Sequence, residues 1–238
     1  LDTAYEVMKI APPSPFCGKP RDKDVPKVSL TIDSVVKRIT DHDCSIKNEW
    51  GRKDVHDDLG YQKVVSHEIH DVLNSELNTR SHIKNIIDVG CGNSRSLLSI
   101  DRKDINYIGL DLNETCIKTA KNFFDNQHKF FLFDVESDDL NSLPLDKKEE
   151  TLVYIDSVLP MFHYPSKTLL KLTEIADSIL CVRTPLYDYL HQSYFKWNGM
   201  KNDSPLWRLT PEYLGSELKG WQLTMIDNDK FLMEKIGE

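Results

Sequence analysis

Four aspartates stand where they could build one site: Asp88, Asp111, Asp134 and Asp156. Each closes an apolar run: IID, YIGLD, FFLFD and LVYID. A carboxylate that accepts charge-assisted hydrogen bonds suits paired hydroxyls, an amine or a positive charge. Between the first two aspartates lies Gly90-Cys91-Gly92, with Ser94 where a third alternate glycine would stand. Glycines there let the backbone approach a ligand closely and take unusual dihedrals. Asp111 follows this loop by about 20 residues, the distance at which an acidic side chain meets ribose hydroxyls in nucleotide-binding folds. Phosphate fits this set poorly. No G-x-x-x-x-G-K-[ST] pattern supplies a lysine, and Arg95 occupies the place of the last glycine in G-x-G-x-x-G. Four carboxylates would also repel a pyrophosphate. They suit a ligand with a ribose, an adenine amine and a positive charge.

Other residues could act on a substrate. His163, in LPMFHYP, is of the residue type suited to general-base work and could remove a proton; the plainer reading is a loop residue that orders Tyr164 and Pro165. His191 lies in an aromatic stretch with Tyr187, Tyr189, Tyr194, Phe195 and Trp197, read either as a substrate lid or as an insertion covering a sheet. Arg183 could meet an anionic substrate group or pair with a surface carboxylate. His67 and His70 are three apart on a helix, but two histidines make no metal site without further ligands, so none is expected.

The elements that must hold these residues follow from periodicity. Residues 1–27 carry Pro12, Pro13, Pro15, Pro20 and Pro26, an extended arm. Helices are expected over 30–43 and 61–77, from apolar residues at helical spacing. Short continuous apolar strands are expected at 84–90, 105–112, 129–135, within 150–159 and at 177–185. Helices are expected from Asn113 to Asn126, at 166–176 and at 210–220, the last capped and ended by Gly220. A terminal hairpin turns at Asn228 and Asp229. Apolar strands alternating with amphipathic helices mean a parallel sheet covered on both faces. The expected fold is α/β: a doubly wound, mostly parallel seven-stranded sheet with an antiparallel C-terminal strand, helices on both faces and an N-terminal extension. The domains are read as 1–60, an arm and accessory helix, and 61–238, the catalytic domain.

With 238 residues, the chain can bury one sizeable core. A net charge of −8 argues against a general nucleic-acid or anionic-membrane binder. Five cysteines without a C-x-x-C pair are read as reduced thiols of a cytoplasmic protein. No apolar run reaches the ~18–20 residues of a membrane span.

Together, IIDVGCGNS, YIGLDLNE, FFLFDVES, TLVYIDSVLPMF and the closing GWQLTMIDNDKFLMEKI resemble the motifs of class I S-adenosylmethionine-dependent methyltransferases. The departure is Ser94, where that family usually has glycine. The resemblance implies S-adenosylmethionine as cofactor and S-adenosylhomocysteine as product. Gly90, Cys91 and Gly92 would pass beside the methionine part, with Asp88 near its ammonium. Asp111 would accept both ribose hydroxyls, and Leu112 would pack on the adenine. Asp134 would accept the adenine amine, and Val135 would donate its backbone N–H. Asp156 would line the place where the methyl meets the substrate, and Asp156 and His163 are the candidate catalytic residues.

The acceptor is less legible. The fourth motif reads IDSVLP, not the Asn/Asp-Pro-Pro-aromatic pattern used on exocyclic base amines, and no paired-glutamate loop of the arginine-methylating kind is present. The expectation is a hydroxyl, less readily an amine, of a small molecule or saccharide. One alternative is a domain of a larger polypeptide acting on RNA, to which Leu1 and the proline-rich arm point. Lys63, Asp156, Lys196 and Glu217 could supply its ribose-methylating tetrad. Another is a non-catalytic binding module.

Overall fold

A computed structural model describes residues 67–94, 96–97, 100–124, 128–145, 147–195 and 204–236. The expected arm, the helix over 30–43 and the start of the helix over 61–77 lie outside the described residues. In chain order the elements are α1 (His67–Thr79), β1 (Asn85–Val89), β2 (Asn106–Asp111), α2 (Glu114–Phe123), β3 (Lys129–Leu132), β4 (Thr151–Asp156), α3 (Pro165–Leu172), β5 (Ser178–Val182), β6 (His191–Phe195), β7 (Ser204–Arg208), α4 (Pro211–Gly215), β8 (Trp221–Asp227) and β9 (Lys230–Lys235).

Seven strands form one sheet in the order β3-β2-β1-β4-β5-β9-β8. The first five are mutually parallel, and β9 runs against its neighbours β5 and β8. The central strands are apolar on both faces because both faces are covered. Side chains alternate across a strand. Ile87, Ile108, Val153 and Ile179 pack with Leu169 and Leu172 of α3 and Tyr213 and Leu214 of α4. Ile86, Tyr107, Leu152 and Leu180 pack with Leu73 and Leu77 of α1 and Ile117 and Ala120 of α2. Asn113 caps α2 by accepting from the Cys116 N–H, an interaction worth about 1 kcal/mol.

Several boundaries differ from expectation. β3 stops at Leu132, so Asp134 and Val135 lie in the turn beyond it. There the Asp134 carboxylate accepts from the Glu136 N–H at 3.0 Å and bends the chain. The helix expected over 210–220 closes at Gly215, and Gly220, at φ +79, turns the chain into β8. The segment between β5 and α4 contains an unforeseen antiparallel hairpin, β6–β7. Its strands mix aromatic and polar residues without the alternation that marks a half-buried strand. Among the described residues no helix is long and apolar enough to cross a membrane.

Candidate active site

Strand order reverses between β1 and β4, so a crevice opens at their carboxyl ends. The loop after β1 has three residues in the left-handed region: Gly90 (φ +72), Gly92 (φ +55) and Ser94 (φ +61). Ser94 thus adopts the backbone that a glycine would take freely. The Gly90 and Cys91 N–H groups both donate to the Leu110 carbonyl, at 2.8 and 3.0 Å, which ties the loop to β2. A Cβ on Gly90 would lie 2.7 Å from Val158, so the loop also packs against the segment after β4. A Cβ on Gly92 would meet nothing within 4 Å. Beneath the loop, Gly109 leaves room for Cys91 and Ser94, whose Sγ and Oγ would lie 2.9 and 3.1 Å from a Cβ there. Burial pushes the Cys91 thiol up.

Asp111 joins this loop to α2. Its Oδ2 accepts from the Gly92 N–H at 2.8 Å and its Oδ1 from the Asn113 N–H at 2.7 Å. Leu112, half-buried, follows it. Asp134 stands in the turn past β3, and Val135 is buried against the core. Asp88 is different: its side chain is buried, accepting from Ser96 Oγ at 2.5 Å and from the Tyr107 hydroxyl. Burial raises its pKa to about 7, the Asp156 and Asp111 charges add to the rise, and the two hydrogen bonds oppose it.

Arg183 grips Asp156 with both prongs, Nε to Oδ1 and a terminal nitrogen to Oδ2, each at 2.5 Å. Arg183 thus pairs with a part-buried carboxylate of the candidate site itself, where a surface carboxylate was expected. The grip spans adjacent strand ends held by strained backbone, Ser157 at φ +65 and Arg183 at φ +51. Of the tetrad, Lys63 and Lys196 lie outside the described residues, as do the side chains of His67 and His70.

His163 is buried, with Nδ1 3.7 Å from Glu136 Oε2. The other Glu136 oxygen accepts from the Tyr164 N–H at 3.1 Å. His191 is also buried, in β6. The hairpin rests on the loop after β4: Trp207, buried, donates from Nε1 to the Phe162 carbonyl at 3.1 Å and stacks on Tyr213. Sequence reasoning missed Glu136, Tyr107, Ser96 and Trp207 as parts of this region. Tyr107 lies within the strand expected at 105–112, and nothing in the local pattern marks Glu136, Ser96 or Trp207. Among the described residues no group of three or more His, Cys, Asp or Glu is arranged to hold a metal ion.

The comparisons agree with this architecture. The family model described as a methyltransferase domain matches residues 87–177. No curated protein sequence matches the chain. Among solved structures, the amino pentose methyltransferase CalS10 of Micromonospora echinaspora with bound S-adenosylmethionine is 10% identical, over 77% of this chain and 98% of that one, with a TM-score of 0.54. Magnesium protoporphyrin IX methyltransferase of Synechocystis PCC 6803 is 12% identical, over 79% and 96%, with a TM-score of 0.54. The N-terminal domain of EvdMO1, crystallised with S-adenosylhomocysteine and D-fucose, is 12% identical, over 72% and 84%, with a TM-score of 0.52. At these identities the structures speak for the fold, while the match over 87–177 covers the carboxyl ends of β1 to β4 and the loops after them. Residues 87–177 therefore match the model of a methyltransferase domain, and the chain shares the fold of these S-adenosylmethionine-dependent enzymes.

Proposed function

We propose that this chain moves a methyl group from S-adenosylmethionine to a hydroxyl, less readily an amine, of a small molecule or saccharide. The observation that carries the reading is the Gly92–Asp111 junction: a carboxylate fixed to a backbone amide beside a glycine with open space above it. That is where a ribose and the adjoining methionine part of the cofactor fit. When bound, the cofactor supplies a methyl group activated by a sulfonium.

The chain's own residues then have separable tasks. Gly90, Cys91 and Gly92 give close backbone approach. Asp111, oriented by the Gly92 and Asn113 amides, accepts the ribose hydroxyls. Leu112 packs on the adenine, while Asp134 and the Val135 N–H read its edge. Asp88 supports the loop from below through Ser96 and adds negative potential for an ammonium. Asp156, gripped through both oxygens by Arg183, lines the methyl-transfer region and fixes its shape. His163 is the candidate base, to take the proton of an acceptor hydroxyl, with its ring placed by Glu136 Oε2 3.7 Å from Nδ1. Alignment of donor and acceptor supplies most of the remaining rate.

The sugar-directed or sugar-bound neighbours support a saccharide-sized acceptor. The net charge of −8 favours a small acceptor over RNA. Calorimetric titration with S-adenosylhomocysteine tests the reading. Binding is expected, and Asp111→Ala should weaken it at least a hundredfold, since two charge-assisted bonds of ~1.5–3 kcal/mol each are lost. Absence of binding at high micromolar ligand overturns the function, and normal affinity in Asp111→Ala overturns the site.

A further inference from the structure

We infer that Arg208, held between Tyr187 and Tyr189, recognises a carboxylate or phosphate group on the small-molecule acceptor; this rests on the methyltransferase reading above. Four arginines have described side chains, and three meet carboxylates: Arg80 with Glu76 and Glu234, Arg102 with Asp104, and Arg183 with Asp156. Arg208 has no acidic side chain within ion-pair distance among the described residues. Its partners are neutral: one terminal nitrogen donates to the Tyr189 hydroxyl, and the guanidinium carbon lies 5.6 and 5.5 Å from the ring centres of Tyr187 and Tyr189.

A guanidinium keeps its charge at any working pH and carries five N–H donors. Here Tyr189 takes one. The aromatic faces hold the cation by its quadrupole attraction without neutralising it. A half-buried, pre-positioned fork with donors to spare is the group best matched to the two oxygens of a carboxylate or phosphate.

Its place in the fold puts that fork on the segment between β5 and α4. The segment bearing Tyr187 and Tyr189 leaves the carboxyl end of β5 directly after Arg183. It is pinned to the end of β7, where the Tyr187 N–H donates to the Leu209 carbonyl at 2.8 Å and Leu186 bridges Leu209. β7 is itself seated on the loop after β4 through Trp207 and Phe162. Neighbouring residues of a strand face opposite ways, so Arg208 projects from the side of β7 away from that seat.

The test uses the whole chain saturated with S-adenosylhomocysteine. Inorganic phosphate and acetate are titrated separately at constant ionic strength, and the Arg208 Nε–Hε resonance, assigned from its loss in Arg208→Lys, is followed. Saturable shifts with millimolar affinity are expected for both anions. By calorimetry, Arg208→Gln should weaken phosphate binding at least tenfold and Arg208→Lys several-fold, while affinity for S-adenosylhomocysteine stays unchanged. If Arg208→Gln does not fold, Arg208→Lys decides. Unchanged phosphate affinity in the variant, or no shift in the wild type up to roughly 50 mM anion, overturns the inference, since weaker binding could not orient an acceptor. Loss of S-adenosylhomocysteine binding by the wild-type chain would instead overturn the methyltransferase reading beneath it.

Discussion

Asp88 stands just before the Gly90–Gly92 loop, yet its carboxyl turns into the face of the sheet that α1 and α2 cover and bonds to Ser96 and Tyr107. Burial raises its pKa to about 7, so near neutral pH it titrates inside the protein. The folded state holds this proton more tightly than the unfolded chain does. The stabilisation is complete below the ordinary carboxylate range near pH 4 and is lost as pH rises through about 7. Asp88→Asn removes the titration while keeping an oxygen for both hydroxyl donors. Between pH 5 and 8 the variant should gain on the wild type by up to roughly 1.4 kcal/mol per pH unit, in urea unfolding at several pH values. A constant difference would show that Asp88 does not titrate in that window. Ser94 makes the complementary case. At φ +61 it bears left-handed strain of about 1–2 kcal/mol, partly offset in any glycine variant by the greater freedom of the unfolded chain. Ser94→Gly should therefore raise stability by up to about 1 kcal/mol, read from thermal unfolding; a loss would show that the buried hydroxyl outweighs the strain. The sequence showed that a glycine was missing at Ser94, but only the dihedral shows what the position demands.

Among the elements, legibility followed the physics of each signal. The parallel strands were readable because burial on both faces leaves an unbroken apolar run, as in Leu152–Ile155. Asp111 at the end of β2 was readable because a strand end fixes where its last side chain points. Pairs that close over long separations were not: Asp156 with Arg183 and Glu136 with His163 join different loops, and nothing local marks them. The β6–β7 hairpin was hidden for a related reason. It is held by tertiary contacts rather than by its own pattern, above all by Trp207, which is 2% exposed, stacks on Tyr213 at 6.0 Å and serves the Phe162 carbonyl. Trp207→Ala should cost about 3–5 kcal/mol and detach the hairpin. Trp207→Phe keeps a ring on Tyr213 but leaves the Phe162 carbonyl without this donor, at about 1–3 kcal/mol. Limited proteolysis would check the order: the hairpin of the alanine variant should be cut first, that of the phenylalanine variant more slowly and the wild type last. Equal rates would mean that the hairpin stands without this anchor.

At the scale of the molecule, the order β5-β9-β8 has a consequence of its own. Because β9 inserts between β5 and β8, the strand Trp221–Asp227 becomes the outer edge of the sheet. It carries no charge before Asp227, and Met225 and Ile226 are 44% and 40% exposed. Long uncharged edges template pairing with other chains, and natural proteins guard them with lysine or proline. The opposite edge, β3, has only four residues and begins with Lys129. Overall repulsion from a net charge of −8 opposes association, but only within a Debye length, about 10 Å at 0.1 M salt and 3 Å at 1 M. Ile226→Lys separates the two effects. It guards the edge while bringing the whole molecule one charge nearer neutrality. If colloidal repulsion governs association, the lysine variant should aggregate faster on heating; if the edge governs, it should aggregate more slowly. We expect the slower course, with a larger advantage at 1 M salt where repulsion is screened, by light scattering at matched concentration. The folding stability of the variant should stay within about 0.5 kcal/mol of the wild type, so that a change in the unfolded fraction cannot account for the result.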